Sequence, residues 1–434
     1  MIITQKINLD LNKKQIQSLK DNFQQIIHFI EQGKSLSVKT FFNLQQNLSA
    51  LVAQNQELMA VLAAIKKTGE FYHINLCHPD SAILNLPWGL AIDPHSGHEL
   101  YRVPQLFLSR TSCADERPPA PALRAPLKIL VMISAPLDLP QRYRLNYEDE
   151  ELSILKSFAE LKKSGQVQID FTENGSLFAL RQKIDRNDYH ILHFSGHGNY
   201  DEKTGIGTLL LEDDLTLTME ETDGAAFATA LLKPGHKIPL VVLSSCKTSQ
   251  GNFAGVAASL LQKGIPGVVA MGMSIVDAYA TAFTAHFYKR LADRKTVLES
   301  FQGAVEYIRS EPFNDEMKKQ NKYAPLQWLI PNLYLNQELP LVDWTADQPL
   351  KSVPVAEKLF VNQDLAELEE EKDLFIGRRA DLAATLPKLF DRTPIVLHGV
   401  GGIGKTRFAR KLVQRRKAHR PDLVAFAFHY QDEG

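Results

Sequence analysis

Two stretches of this 434-residue chain, Tyr189 to Phe194 and Leu240 to Leu243, are nearly continuous apolar runs, and they narrow the fold more than any other feature. A strand with one wet face alternates polar and apolar residues. A strand buried on both faces does not, and such strands occur where helices cover both sides of a parallel sheet. The surrounding segments repeat the alternation of strand and helix. Strand-like Leu127 to Ile133 precedes a helical stretch through Glu148 to Lys163, and strand Val167 to Phe171 precedes helix Leu177 to Arg186. Further strands at Val268 to Met271 and Leu329 to Leu335 are separated by helices at Asp277 to Ala292 and Thr296 to Arg309. The pattern predicts a doubly wound, mainly parallel α/β sheet flanked by helices.

Upstream, Ile16, Leu19, Phe23, Ile26, Ile27 and Ile30 fall at helical spacing. Leu44, Leu48, Leu51, Leu58, Leu62 and Ile65 predict a second helix facing the core, its seam being too short for a coiled coil. Phe71 to Leu76 reads as a strand. Prolines 118, 119, 121 and 126 break helix and sheet and mark a connection, while prolines mixed with the acidic residues Glu367, Glu369, Glu370 and Glu371 read as a linker. These signals predict a helical and stranded N-terminal part at 1–120, the remainder of the same α/β domain at 121–340, a linker at 341–372, and the opening of a second α/β domain at 373–434.

Composition excludes little but is consistent. With 44% hydrophobic and 23% charged residues the chain is ordinary for a globular protein, and no apolar stretch reaches the roughly 18 residues that suggest a membrane span. A net charge of -1 gives no electrostatic case for nucleic acid as the main partner. The N-terminus lacks the basic-then-apolar layout of a secretory signal, which predicts a cytoplasmic protein. Cys77, Cys113 and Cys246 are too few for a disulfide framework and form no C-x-x-C pair, so any special cysteine is expected to act alone.

The chemistry-bearing residues cluster at strand ends. The run to Phe194 continues as Ser195-Gly196-His197-Gly198, and the run to Leu243 continues as Ser244-Ser245-Cys246-Lys247-Thr248. In a doubly wound sheet the ligand crevice lies outside the carboxyl ends of the strands, so neighbouring strands would bring both side chains over one cleft. An imidazole there can take the thiol proton or stabilise the thiolate as an ion pair. Gly196 and Gly198 are expected to relax the backbone around His197, and the N–H groups of Gly198 and Cys246 are candidates for holding a developing oxyanion. A buried cysteine packed as a small apolar residue, beside a histidine that is merely hydrogen-bonded, would give the same pattern.

The segments Leu86-Pro87-Trp88 with Asp93-Pro94, Leu127 to Val131 with Ser134-Ala135-Pro136, His193 to Gly198, Val241 to Cys246, Gly264 to Ala270 and Pro331 to Tyr334 resemble, in this order, the CHAT family of caspase-like peptidases, related to caspases and separase. The resemblance covers roughly Phe71 to Leu335. It implies a His–Cys dyad carried by His197 and Cys246, which cleaves peptide bonds through an acyl-enzyme and needs no cofactor. Gly89 departs from the family, which usually has glutamate after the Pro-Trp pair. Asp277 matches an acidic position able to face a basic P1 side chain, although Ser274 to Asp277 also fits a capping box.

Near the C-terminus, apolar Pro394 to His398 reads as a strand, followed by Gly399-Val400-Gly401-Gly402-Ile403-Gly404-Lys405-Thr406 and a helix. This completes the G-x-x-x-x-G-K-[ST] pattern in its strand, loop, helix context. Gly399, Gly401, Gly402 and Gly404 let backbone N–H groups wrap the phosphates of ATP or GTP, Lys405 reaches the terminal ones, and the Thr406 hydroxyl holds magnesium. Phe375 to Arg379 resembles the entry motif of STAND-type signalling NTPases, which implies nucleotide-dependent oligomerisation and a C-terminal regulatory or sensor region beyond Gly434. The basic residues from Arg407 to Arg420 read as the solvated face of a helix rather than a nucleic-acid site. The expectation is a nucleotide-gated cysteine endopeptidase acting on protein substrates in bacterial signalling or defence. A catalytically silent interaction module and a cysteine-dependent acyl transferase are the alternatives.

Overall fold

The computed structural model describes residues 2–31, 38–111, 122–143, 145–163, 165–201, 204–244, 253–273, 275–336, 339–345 and 378–426. The chain divides into two compact units, Met1–Glu212 with Met219–Leu350, and Asp213–Thr218 with Lys351–Gly434.

The strands begin with β1 (Ile2–Asn8), β2 (Phe71–Cys77), β3 (Leu106–Thr111), the two-residue β4 (Leu123–Arg124), β5 (Leu127–Ile133), β6 (Val167–Phe171), β7 (Ile191–Ser195) and β8 (His197–Asp201). They continue as β9 (Ile206–Glu212), β10 (Met219–Asp223), β11 (Leu232–Lys233), β12 (His236–Lys237), β13 (Leu240–Ser244), β14 (Gly267–Met271), β15 (Pro331–Leu335) and β16 (Val342–Asp343). Nine of them form one sheet in the order β1-β2-β3-β15-β14-β13-β7-β5-β6. Its neighbours pair in parallel except β14 with β15. Strands β5, β7, β13, β14 and β15 are buried at every residue, which is why their sequences carry no alternation. Each fully buried Leu, Ile or Val there contributes about 1.5–3 kcal/mol.

The helices of this unit are α1 (Lys13–Glu31), α2 (Val38–Gln54), α3 (Gln56–Thr68), α4 (Ser81–Leu84), α5 (Tyr147–Lys163), α6 (Leu177–Arg186), α7 (Gly224–Ala230), α8 (Ala254–Lys263), α9 (Asp277–Ala292), α10 (Val297–Arg309) and α11 (Glu311–Lys319). The single helix expected over Leu44 to Ile65 is two, α2 and α3, bent by 88°. Asn55 makes the break: its side chain accepts the Leu58 N–H at 2.9 Å and caps α3, competing with continuation of α2. Leu44, Leu48, Leu58, Leu62 and Ile65 are all buried in the core, and among the described residues no single helix is long and apolar enough to cross a membrane. The strands of the N-terminal part, β1 to β3, lie in the same sheet as β5 and β7. At Gly89, a Cβ would stand 2.1 Å from the ring of Tyr101, so the aromatic ring leaves no room for a larger residue as it stands. Cys77 is disulfide-bonded to a partner outside the described residues. Much of the proline-rich connection, residues 112–121, also lies outside them.

In the second unit, helices Arg379–Phe390 and Lys405–His419 bury Leu382, Leu386, Phe408 and Leu412 against each other. The strand expected at Pro394 to His398 is not formed, and Val396 within it is 83% exposed. A strand exists only with a ladder partner, and among the described residues of this unit there is no other strand to supply one. The entry motif Phe375-Ile376-Gly377 and the acidic linker lie outside the described residues.

Candidate active site

At the carboxyl ends of β7 and β13, Ser195 and Ser244 sit opposite each other in register, and the Gly196 N–H donates to the Ser244 carbonyl at 3.2 Å. The chain then leaves the main sheet. His197 is the first residue of β8, which pairs with β9 in a small antiparallel sheet ordered β10-β9-β8, with His197 opposite Leu210. Cys246, two residues beyond Ser244, lies with residues 245–252 outside the described residues.

His197 is only 4% exposed. Burial, which disfavours the charged ring, pulls its pKa below the ordinary imidazole value, and a backbone hydrogen bond with Tyr143 pulls it partly back. A main-chain group that raises an imidazole pKa must be a carbonyl, since only a carbonyl favours the protonated ring. The bond engages Nδ1, because Nε2 is buried and without a hydrogen-bond partner among the described residues. The ring is therefore neutral near pH 7, with Nδ1–H donated to Tyr143 and the Nε2 lone pair free to accept a proton.

The glycines around it are required for space. Neither Gly196 nor Gly198 has positive φ, which corrects the expectation of a relaxed backbone. Instead, a Cβ on Gly198 would lie 2.4 Å from the Phe253 ring, and one on Gly196 would lie 2.7 Å from the Phe194 ring. Gly207 of β9 and Gly255 of α8 meet still more closely: a Cβ on Gly207 would stand 2.4 Å from the Val256 nitrogen, and one on Gly255 2.6 Å from the Gly207 nitrogen. The small sheet that carries His197 thus packs directly on the helix that follows the cysteine segment. The expected oxyanion donor Gly198 is buried within β8, opposite Leu209.

Asp277 is exposed at the first position of α9. The helix N-cap is Val276, whose N–H is taken by the Gln327 side chain at 2.8 Å, while Ser274 of the expected capping box lies outside the described residues. Asp213 is a turn residue: its Oδ1 accepts from the backbone N–H of Leu215 and Thr216.

The phosphate loop keeps part of its expected form. Gly402 and Gly404 have φ of 78° and 87°, the left-handed region that favours glycine, and Gly404 begins helix Lys405–His419 without a side-chain cap. Nothing lies within 4 Å of a Cβ built at Gly401, Gly402 or Gly404. The Lys405 Nζ donates to the carbonyls of Gly399 and Val400 at 2.9 and 3.0 Å. Open first-turn N–H groups, left-handed glycines and a lysine over the loop fit a phosphate chain. No group of three or more His, Cys, Asp or Glu side chains able to hold a metal occurs among the described residues.

Sequence reasoning missed Tyr143, Glu150 and Glu212. The Ser195 hydroxyl donates to Glu150 at 2.6 Å. Glu212 is fully buried, its two carboxylate oxygens accepting the N–H groups of Ala135 and Gly175 at 2.6 and 2.9 Å. Glu212 precedes Asp213 and Asp214 in one acidic run, so no sequence signal marks it out.

The sequence profile of the CHAT domain matches residues 47–335, more than half of the chain, and the chain belongs to that family. Its fold is a mixed α/β core with a mainly parallel sheet. Among solved structures, the Arg-specific cysteine proteinase gingipain R is similar at 12% identity with a TM-score of 0.42, covering 78% of each chain. A complex of the pro- and mature domains of Porphyromonas gingivalis RgpB matches at 10% identity with the same TM-score, covering 78% of this chain and 79% of the other. The separase–securin complex of Saccharomyces cerevisiae matches at 12% identity and a TM-score of 0.34, covering 77% of this chain and 23% of that one. No curated protein matches the sequence.

Proposed function

We propose that the first unit is a cysteine endopeptidase in which His197 is the general base for Cys246. The observation that carries this reading is the His197 ring, neutral and buried, with Nδ1 committed to the Tyr143 backbone and Nε2 unspent. In the proposed reaction Nε2 takes the thiol proton as sulfur attacks the scissile carbonyl. The backbone N–H groups of Gly198 and Cys246 hold the oxyanion, and the proton passes to the leaving amine as the acyl-enzyme forms. Water then attacks the acyl carbon as Nε2 takes its proton, the C–S bond breaks to release the carboxylic acid product, and the proton returns from Nε2 to the Cys246 sulfur. Asp277, exposed at the start of α9, is proposed to meet a basic side chain of the protein substrate.

We further propose that the second unit binds ATP or GTP and that nucleotide regulates the peptidase. Lys405 would exchange its bonds to Gly399 and Val400 for phosphate oxygens, the glycine N–H groups would surround the phosphates, and Thr406 would hold magnesium. Magnesium supplies charge neutralisation between the phosphates when bound.

The test is labelling with electrophilic peptidyl probes read by intact mass, comparing the parent chain with Cys246→Ala and His197→Ala. Label at Cys246 is expected, disappearing in the first variant and slowed about 10²–10⁴-fold in the second. Absence of label with and without ATP and magnesium would favour a silent interaction module and overturn the peptidase.

A further inference from the structure

His197 depends on the small sheet for its position, and Ser134 and Glu212 stitch that sheet to the loops of the main one. Ser134, just past β5, donates its amide to the Ser195 carbonyl at 2.8 Å and its hydroxyl to the Leu210 carbonyl, also at 2.8 Å. Leu210 is the ladder partner of His197. Two residues along β9, Glu212 accepts the Ala135 N–H and the Gly175 N–H, and its own N–H donates to the Gly175 carbonyl at 2.9 Å. The packing is tight, since a Cβ on Gly175 would stand 2.5 Å from the Ser134 Cα.

A carboxylate at 0% exposure is costly unless both oxygens are engaged. Here the two oxygens bind N–H groups from two different loops, those following β5 and β6. A carboxamide cannot replace it, because it offers one acceptor and would aim an NH2 at the second N–H. The β5 loop also runs on to Tyr143, whose carbonyl holds the ring of His197. The β9 ladder fixes the backbone of His197, the β5 loop orients its ring, and Glu212 binds one to the other.

We infer that Glu212, assisted by Ser134, is the positioning residue for His197, acting on the general base from two directions without touching substrate. The inference rests on the peptidase reading above. Its test is a double-mutant cycle on Cys246 alkylation by iodoacetamide, followed by peptide mapping so that only label on Cys246 is counted. With His197 present, Glu212→Gln is expected to slow Cys246 alkylation about 10- to 100-fold, and the milder Ser134→Ala about threefold. In a His197→Ala background both substitutions should have no effect, because a group acting through the imidazole has nothing left to position.

Equal losses with and without His197 mean that Glu212 is merely structural and overturn the inference. Unchanged rates in both variants overturn it as well. If His197→Ala alone leaves the alkylation rate of Cys246 unaltered, the dyad itself fails and the inference falls with it. Should Glu212→Gln not fold, Ser134→Ala carries the same cycle.

Discussion

The two units hold their motifs in opposite ways. In the first, His197 is fixed by groups that its own sequence neighbourhood does not contain: the Tyr143 carbonyl, the Leu210 ladder partner, and the packing of Gly198 on Phe253. In the second, the phosphate loop is complete in sequence, and its glycine conformations, its lysine bonds and its helix are formed. Its strand is not. A helix closes its hydrogen bonds within its own segment, whereas every ladder bond of a strand belongs to a neighbour. A motif can therefore be legible and local, yet still lack the part that depends on distant chain.

That contrast gives tests by substitution and by pH. Gly255→Val forces a branched side chain onto the Gly207 backbone and should destabilise the first unit by about 4 kcal/mol in urea unfolding, while Gly401→Ala, built into open space, should change stability by less than about 0.5 kcal/mol. Similar costs at the two positions would erase the distinction between the units.

Acidification acts on three buried rings of the first unit at once. Burial holds His73, His190 and His193 of the first unit at about 4, against an ordinary 6.5. Between those values the unfolded chain binds protons that the folded chain refuses, so stability is full above pH 6.5 and is lost as pH falls toward 4. The loss should approach about 3 kcal/mol per ring. Urea midpoints that stay flat from pH 6.5 to 4.5 would contradict it.

In the second unit, Leu386→Ala removes a side chain 1% exposed and should cost about 2 kcal/mol, read as roughly 30-fold faster amide exchange in helix Lys405–His419. Unchanged exchange would mean that this small core does not hold the helix. Smallest is Lys405→Ala, whose two bonds are exposed and worth about 0.5 kcal/mol or less, although the rise in Tm on adding ATP and magnesium should vanish. A persisting rise would place the nucleotide elsewhere.

Much of the fold was legible. Helices α6 and α9 begin and end where the apolar spacing put them, and the buried strands β5, β7 and β13 announce themselves by lacking alternation. The break at Asn55 was missed because an apolar seam continues through it on both sides, and only the capping bond to Leu58 decides that the chain turns. At the entry to α9 the deciding partner is likewise distant. Gln327, 51 residues away along the chain from Val276, already occupies the N–H at the helix entry.

By itself the sequence determined the alternation of buried strands and helices, the positions of His197 and Cys246 just beyond two such strands, and the glycine loop ahead of Lys405. These are properties of periodicity and short-range stereochemistry, carried by residues within a turn or two of one another. Only the tertiary structure decided that the chain leaves the main sheet at His197, and that Gly198 and Gly207 are small because a helix lies against them. It also decided that Glu212 joins a loop 77 residues before it to one 37 residues before it. The physical reason is the same in each case: a buried polar group or a missing Cβ answers to the atoms packed on it, and those atoms come from elsewhere in the chain.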